Sequence, residues 1–296
     1  MPHRHAPIWS FTVALLTTSA ALAGNANPQA YQVIRQTPGL VGFWDFSEQA
    51  GQARVSKSTP EAHALAEQNG PIARFGGGPI SGYVAEFNGI DQFFAIPHEQ
   101  TGDLNISGPD AQVSMMAIIK QTRMSKTIAG MWSEGAGAGD LSGVRQYALL
   151  QDMPAYGGPR RVTPHISAFG GDRKSTRLNH LGWNADYAVS ESPVAVDRWV
   201  SVGFTYDGTW VKAFYNGQFE AWDVDNPEDV TGSKGRTDTY FTEEGPDSGW
   251  RGMNPYYQPD GIYTFDPNDP VKLDEGAPFT VGARQAVGLE VAEAFQ

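Results

Sequence analysis

The chain has 296 residues, enough for one large all-β domain or two small ones, and counts 33 Asp and Glu against 21 Lys and Arg. The formal net charge of −12 argues against nucleic acid as a partner, because phosphate binding wants a basic face. Cysteine is absent, which excludes disulfides, thiolate catalysis and Cys-based zinc sites, while 34 Gly, 20 Pro and 34 aromatics suit short strands joined by turns.

The N-terminus reads as a targeting segment. Arg4 precedes an uncharged run from Ile8 to Ala20, and Ala21-Leu22-Ala23 sets small residues where a signal peptidase reads them. Residues 1–23 are thus expected to be an export signal, with 24–38 as a linker and a periplasmic, cell-surface or extracellular destination. The apolar run is short for a bilayer and no other uncharged stretch approaches it, so no membrane span is expected.

From Gly39 onward strand and turn signals dominate. Leu40–Phe46 reads as a strand and Pro60–Gln68 as one short helix. Tyr83–Phe87, the Asn88-Gly89 turn and Gln92–Ile96 predict a hairpin. Val113–Lys120 is apolar on both faces, as a central strand covered on both sides would be. Arg145–Leu150 and Thr163–Ala168 follow as strands. Then Trp199–Tyr206, Trp210–Tyr215 and Gln218–Trp222, separated by Asp207-Gly208 and Asn216-Gly217, predict a three-stranded meander. Phe279–Ala283 is one more strand. The fold class is therefore all-β, with strand spacing that suits a two-sheet antiparallel sandwich of jelly-roll type.

One region breaks the rhythm. Between Glu220 and Glu275 fourteen acids face four bases, so an acidic insertion over 220–278 carries most of the charge imbalance. A connection this long is usually functional or disordered. Earlier, Asp172–Asn179 is abruptly basic and poor in apolar residues, and no function is placed on it.

These pieces together resemble the laminin G-like, or concanavalin A-like lectin/glucanase, jelly-roll domains of bacterial exported proteins. The matching segments are G39LVGFWDFSEQAG51, F87NGIDQFFAIPH98, L104NISGPDAQVSMMAIIK120, D197RWVSVGFTYDGTWVKAFYNGQ218 and F279TVGAR284, in the family's order. The resemblance implies one domain over 39–285. Such domains close with a further strand after the FTVGA piece. No such strand reads out of 286–296, which is expected to be a tail with a truncated final strand.

The resemblance also frames the chemistry. Glucanases of this fold place paired carboxylates as Glu-x-Asp-x-x-Glu on one strand, and no Glu-x-Asp occurs in this chain. Some jelly-roll polysaccharide lyases use Tyr and His as acid and base with Arg on the uronate, for which His165, Tyr147 and Arg145 are the candidates. The period-2 rule sends Val200, Val202, Phe204 and Tyr206 inward and leaves Ser201, Gly203 and Thr205 on the other face, with Lys212 on the adjoining strand. A shallow groove floored by Ser201, Gly203 and Thr205, with His165, Arg145 and Tyr147 nearby, is the expected ligand site.

Trp132, Trp183 and Trp250 sit in loop-like contexts that suit sugar stacking, whereas Trp44, Trp199 and Trp210 read as core or sheet packing. Related jelly rolls present oxygen ligands at positions matching Asp45, Glu48 and Asp91, which implies one structural calcium and no cofactor requirement. The leading expectation is an exported, non-catalytic module that binds a polysaccharide, glycoconjugate or partner surface. A lyase or hydrolase, and a structural or adhesive fragment of an envelope protein, remain the alternatives.

Overall fold

The computed structural model describes residues 26–58, 63–123, 126–135, 142–153, 158–171, 186–221, 254–272, 275–285 and 291–294. Residues 1–23, read above as an export signal, the basic stretch 172–179, Trp183, Trp250 and most of the acidic insertion lie outside these residues. In chain order the elements are helix α1 (Pro28–Arg35) and strands β1 (Arg54–Val55), β2 (Ala64–Gln68), β3 (Ala73–Gly78), β4 (Gly82–Glu86), β5 (Phe93–Ile96) and β6 (Val113–Ile119). Next come β7 (Thr127–Ser133), β8 (Val144–Met153), β9 (Gly158–Val162), β10 (His165–Gly170), β11 (Asp186–Tyr187) and β12 (Val200–Tyr206). The last are β13 (Trp210–Tyr215), β14 (Gln218–Phe219), β15 (Tyr256–Tyr257), β16 (Phe279–Val281), β17 (Ala283–Gln285) and β18 (Val291–Ala294). Among the described residues no helix is long and apolar enough to cross a membrane.

The protein is thus mostly strand, in an eleven-stranded, a five-stranded and a two-stranded sheet. The large sheet runs β1-β2-β5-β16-β7-β8-β10-β11, with β9 on β8 and with β17, itself paired to β18, on β7. Its pairings are antiparallel except for β17 beside β7. The five-stranded sheet runs β14-β13-β12-β6, with β15 also on β13. One apolar cluster joins the inward faces of both, taking Phe94, Met131, Tyr147 and Ile166 from the large sheet and Val202, Phe204, Val211 and Ala213 from the other.

The meander forms for the reasons its turns suggest. The Asp207 carboxylate accepts from the backbone N–H groups of Thr209 and Trp210 at 3.0 and 2.8 Å, while Gly208 takes a positive φ. Asn216 and Gly217 both adopt positive φ, the pair of conformations a two-residue hairpin turn requires. Along β12 the alternation holds: Val200, Val202, Phe204 and Tyr206 are buried and Ser201 and Thr205 are not.

Other segments depart from expectation. Residues 24–38 are not all linker, because Pro28–Arg35 is helical, capped by Asn27, whose side chain accepts from the Ala30 N–H. Leu40–Phe46 is irregular rather than a strand, with Phe46 at φ +54°. The short helix expected within 60–68 is strand β2 from Ala64 on, drawn into the large sheet by β5. The hairpin across Asn88-Gly89 does not form. β4 pairs with β3, and β5, with all four residues buried, pairs with β2 and β16. Asn88 instead caps its own turn, its Oδ1 accepting from the N–H groups of Ile90, Asp91 and Gln92. β6 is not central but terminal in the order of its sheet, and Met116 on it is 60% exposed. A strand does follow the FTVGA piece: β18 pairs antiparallel with β17, Ala294 opposite Ala283.

Candidate functional site

Among the described residues, the outward face of the five-stranded sheet leaves Met116 and Phe219 exposed. Register places Ser201 opposite Ile118, Gly203 between Met116 and Phe214, and Thr205 between Ser114 and Lys212. Phe219 of β14 continues the middle row beside Phe214, their rings 5.9 Å apart. Two rows therefore run side by side across the strands. One is apolar, from Met116 over Gly203 to Phe214 and Phe219; the other is polar, from Ser114 over Thr205 to Lys212. With no side chain at Gly203, the middle row has a gap in its side chains between Met116 and Phe214. Gly203 is itself buried, and a Cβ on it would lie 2.7 Å from the Met115 carbonyl oxygen.

Trp199, one residue ahead of β12, is 38% exposed, and Phe219 is 40% exposed. Trp199 was assigned to packing on sequence grounds, but the alternation that buries Val200 turns its predecessor outward. Lys212 keeps its ammonium 3.6 Å from the Asp207 carboxylate, and the Asn216 side chain accepts from the Ser201 N–H at 3.1 Å. An aromatic and aliphatic surface bordered by hydroxyls and one ammonium can stack on the CH face of a sugar ring while hydrogen-bonding its rim.

His165, Arg145 and Tyr147 do not join this face. They belong to β10 and β8 of the large sheet, with the shared core between them and Ser201. Arg145 and Tyr147 are also separated from each other. Met131 opposes Tyr147 and its neighbour Trp132 opposes Arg145, so Gln146 is an extra residue and the parity of β8 flips. Tyr147 points into the core, where its hydroxyl donates to the Leu104 carbonyl at 2.5 Å and burial pushes its pKa well up. The Tyr–His acid–base pair of the lyase reading is thereby split across two faces of one sheet.

On the outward face of that sheet the structure gathers Trp132, Arg145 and His165 with two residues the sequence reading missed, Glu134 and Arg284. The Glu134 carboxylate accepts from the Trp132 indole at 3.0 Å, Arg145 at 2.9 Å and Arg284 at 2.8 Å. Trp132 is a buried residue of β7 rather than a loop platform, its ring edge-on to His165 at 5.7 Å. His165 in turn stacks on Tyr187 at 5.3 Å and Tyr187 on Tyr256 at 5.6 Å. Burial pushes the His165 imidazole down to about 4, so it is neutral at pH 7. This cluster is a buried, paired ionic anchor. Its acid is held by three cationic or indole donors, and its histidine is a neutral imidazole at pH 7.

The three carboxylates expected at a calcium site have protein partners in this structure. Asp45 and Glu48 share Lys57, whose ammonium lies 3.8 and 2.5 Å from them and supplies the local positive charge. Asp91 accepts from Asn88 in a separate turn. Among the described residues no group of three or more His, Asp or Glu is arranged to hold a metal.

Comparison with known proteins returns no match to a family model, to a curated protein or to a solved structure.

Proposed function

We propose that this chain is an exported, non-catalytic jelly-roll module of the laminin G-like, concanavalin A-like type that holds a glycan on the open face of its five-stranded sheet. The observation that carries the reading is the pairing of rows on that face: Met116, Phe214 and Phe219 beside Ser114, Thr205 and Lys212, with exposed Trp199 at its border. Sugar rings are themselves two-sided, apolar on the CH faces and polar at the rim, so such a face matches an extended chain of them. Affinity is expected to be modest, because the surface is shallow and buries one side of the ligand only.

Calorimetry against a panel of neutral and uronate polysaccharides tests this. Removing Trp199 and Phe219 together, as W199A/F219A, should weaken the best ligand at least about tenfold, since each stacking contact is worth about 1 kcal/mol. Heat traces flat across the panel, or a double variant that binds as well as the parent, would overturn the proposal.

A further inference from the structure

Beside helix α1 the fold forms an open pocket of about 230 Å³, lined by residues that include Tyr31 and Gln32 of the helix, Asp45, Ser47, Ile80 and Tyr83. We propose that this pocket is a second binding site, for a single neutral sugar ring, separate from the sheet face and independent of the reading of that face.

The walls and the base have different chemistries. Tyr31, Ile80 and Tyr83 give an apolar wall, with Tyr83 backed by the Arg74 guanidinium 4.4 Å from its ring centre. Asp45, largely buried, takes the Tyr31 hydroxyl on Oδ2 at 3.1 Å and the Ser47 N–H and hydroxyl on Oδ1 at 3.1 and 2.8 Å. A carboxylate offers about four acceptor positions. These three bonds leave room for a ligand hydroxyl on Oδ2, next to the lone pairs of the Tyr31 oxygen. The Gln32 amide adds two donors and an acceptor at the rim. That set suits two neighbouring hydroxyls on one ring.

Size and charge narrow the occupant. The volume is on the scale of one sugar ring. Around the pocket Asp45 and Glu48 are matched by Lys57 and Arg74, and Arg35 of the helix also acts on Tyr31, so no free negative charge awaits a cation, while the Asp45 carboxylate at the base disfavours an anion. The phenol of Tyr31 is held protonated, because burial and then the Asp45 charge both raise its pKa, and it therefore keeps donating to Asp45.

Saturation-transfer NMR on the mature chain tests the site, with glucose, galactose, mannose and N-acetylglucosamine as neutral probes, choline as the cationic probe and acetate as the anionic one. At least one hexose should show transfer at millimolar concentration. I80W, which fills the cavity, should abolish it, and Q32A, on the exposed helix surface and harmless to the fold, should weaken it several-fold. W199A/F219A should leave it unchanged, which separates this site from the sheet face. Transfer to no hexose, transfer to choline or acetate in preference to every hexose, or equal hexose transfer in parent and Q32A would each overturn the proposal.

Discussion

His165 illustrates how much a single residue's meaning depends on its surroundings. In sequence it is a titratable strand residue between Thr163 and Ser167. In the fold it is buried between Trp132 and Tyr187, and its Nδ1 lies 2.8 Å from the Thr163 carbonyl. A carbonyl only accepts, so the ring proton sits on Nδ1 and the lone pair on Nε2. Because the folded-state pKa is depressed to about 4, the unfolded chain binds a proton between about pH 6.5 and 4 that the folded chain does not. The contribution of His165 is therefore complete above about pH 6.5 and is lost as pH falls toward 4, by up to about 3 kcal/mol. Urea midpoints measured from pH 7 to pH 4 should fall steeply for the parent and more gently for H165F, which keeps the ring stacking and cannot be protonated. Parallel profiles for the two proteins would refute this. Trp199 shows the opposite dependence. Its outward direction was already implied by the buried Val200 that follows it, and only its assignment to packing concealed it.

At the scale of elements, β12 is the strand on which the open face depends. Its inward residues are fixed by alternation, whereas the gap at Gly203 is fixed by what lies across the ladder. Gly203 faces Met116 on one side and Phe214 on the other, and a Cβ added to it would crowd the Met115 carbonyl oxygen. G203V should cost about 1–3 kcal/mol, the usual range for overpacking, and T205V, on the same face but free of that contact, well under 1 kcal/mol. Denaturant unfolding of the two variants checks the ranking, and equal stability would mean that the gap is not held by backbone approach. β8 gives the complementary lesson. Eight consecutive residues from Val144 are buried, so no alternation was available to disclose the extra residue Gln146 that sends Arg145 and Tyr147 to opposite faces. β5 is similar: four buried residues in a row carry no record of partner, and β5 pairs with β2 and β16 instead of with β4.

For the molecule as a whole, the carboxylates that converge among the described residues are paired with protein cations. Lys57 between Asp45 and Glu48, and Arg145 and Arg284 around Glu134, place protein cations where carboxylates converge. Thermal unfolding followed with excess calcium and with excess chelator should therefore give the same midpoint within experimental scatter. A fall of several degrees on chelation would show a bound ion that contributes to stability by mass action. The Lys57 pairs matter for the ligand question, because they leave the pocket beside α1 lined mainly by aromatic rings, hydroxyls and an amide rather than by free charge.

Composition, turn dipeptides and period-2 patterning were enough to establish that the chain is all-β, that residues 199–219 form a meander, and that Ser201 and Thr205 face away from the core. Those are properties of a residue and its near neighbours, set by backbone sterics and by which side of a strand is apolar. Which strands lie beside one another was not legible, because a fully buried strand pairs equally well with many partners and is placed by the total packing of both sheets. That is why His165 and Arg145 were expected over Ser201 and are found on the other sheet. It is also why Glu134 and Arg284, 150 residues apart, meet only in the folded molecule.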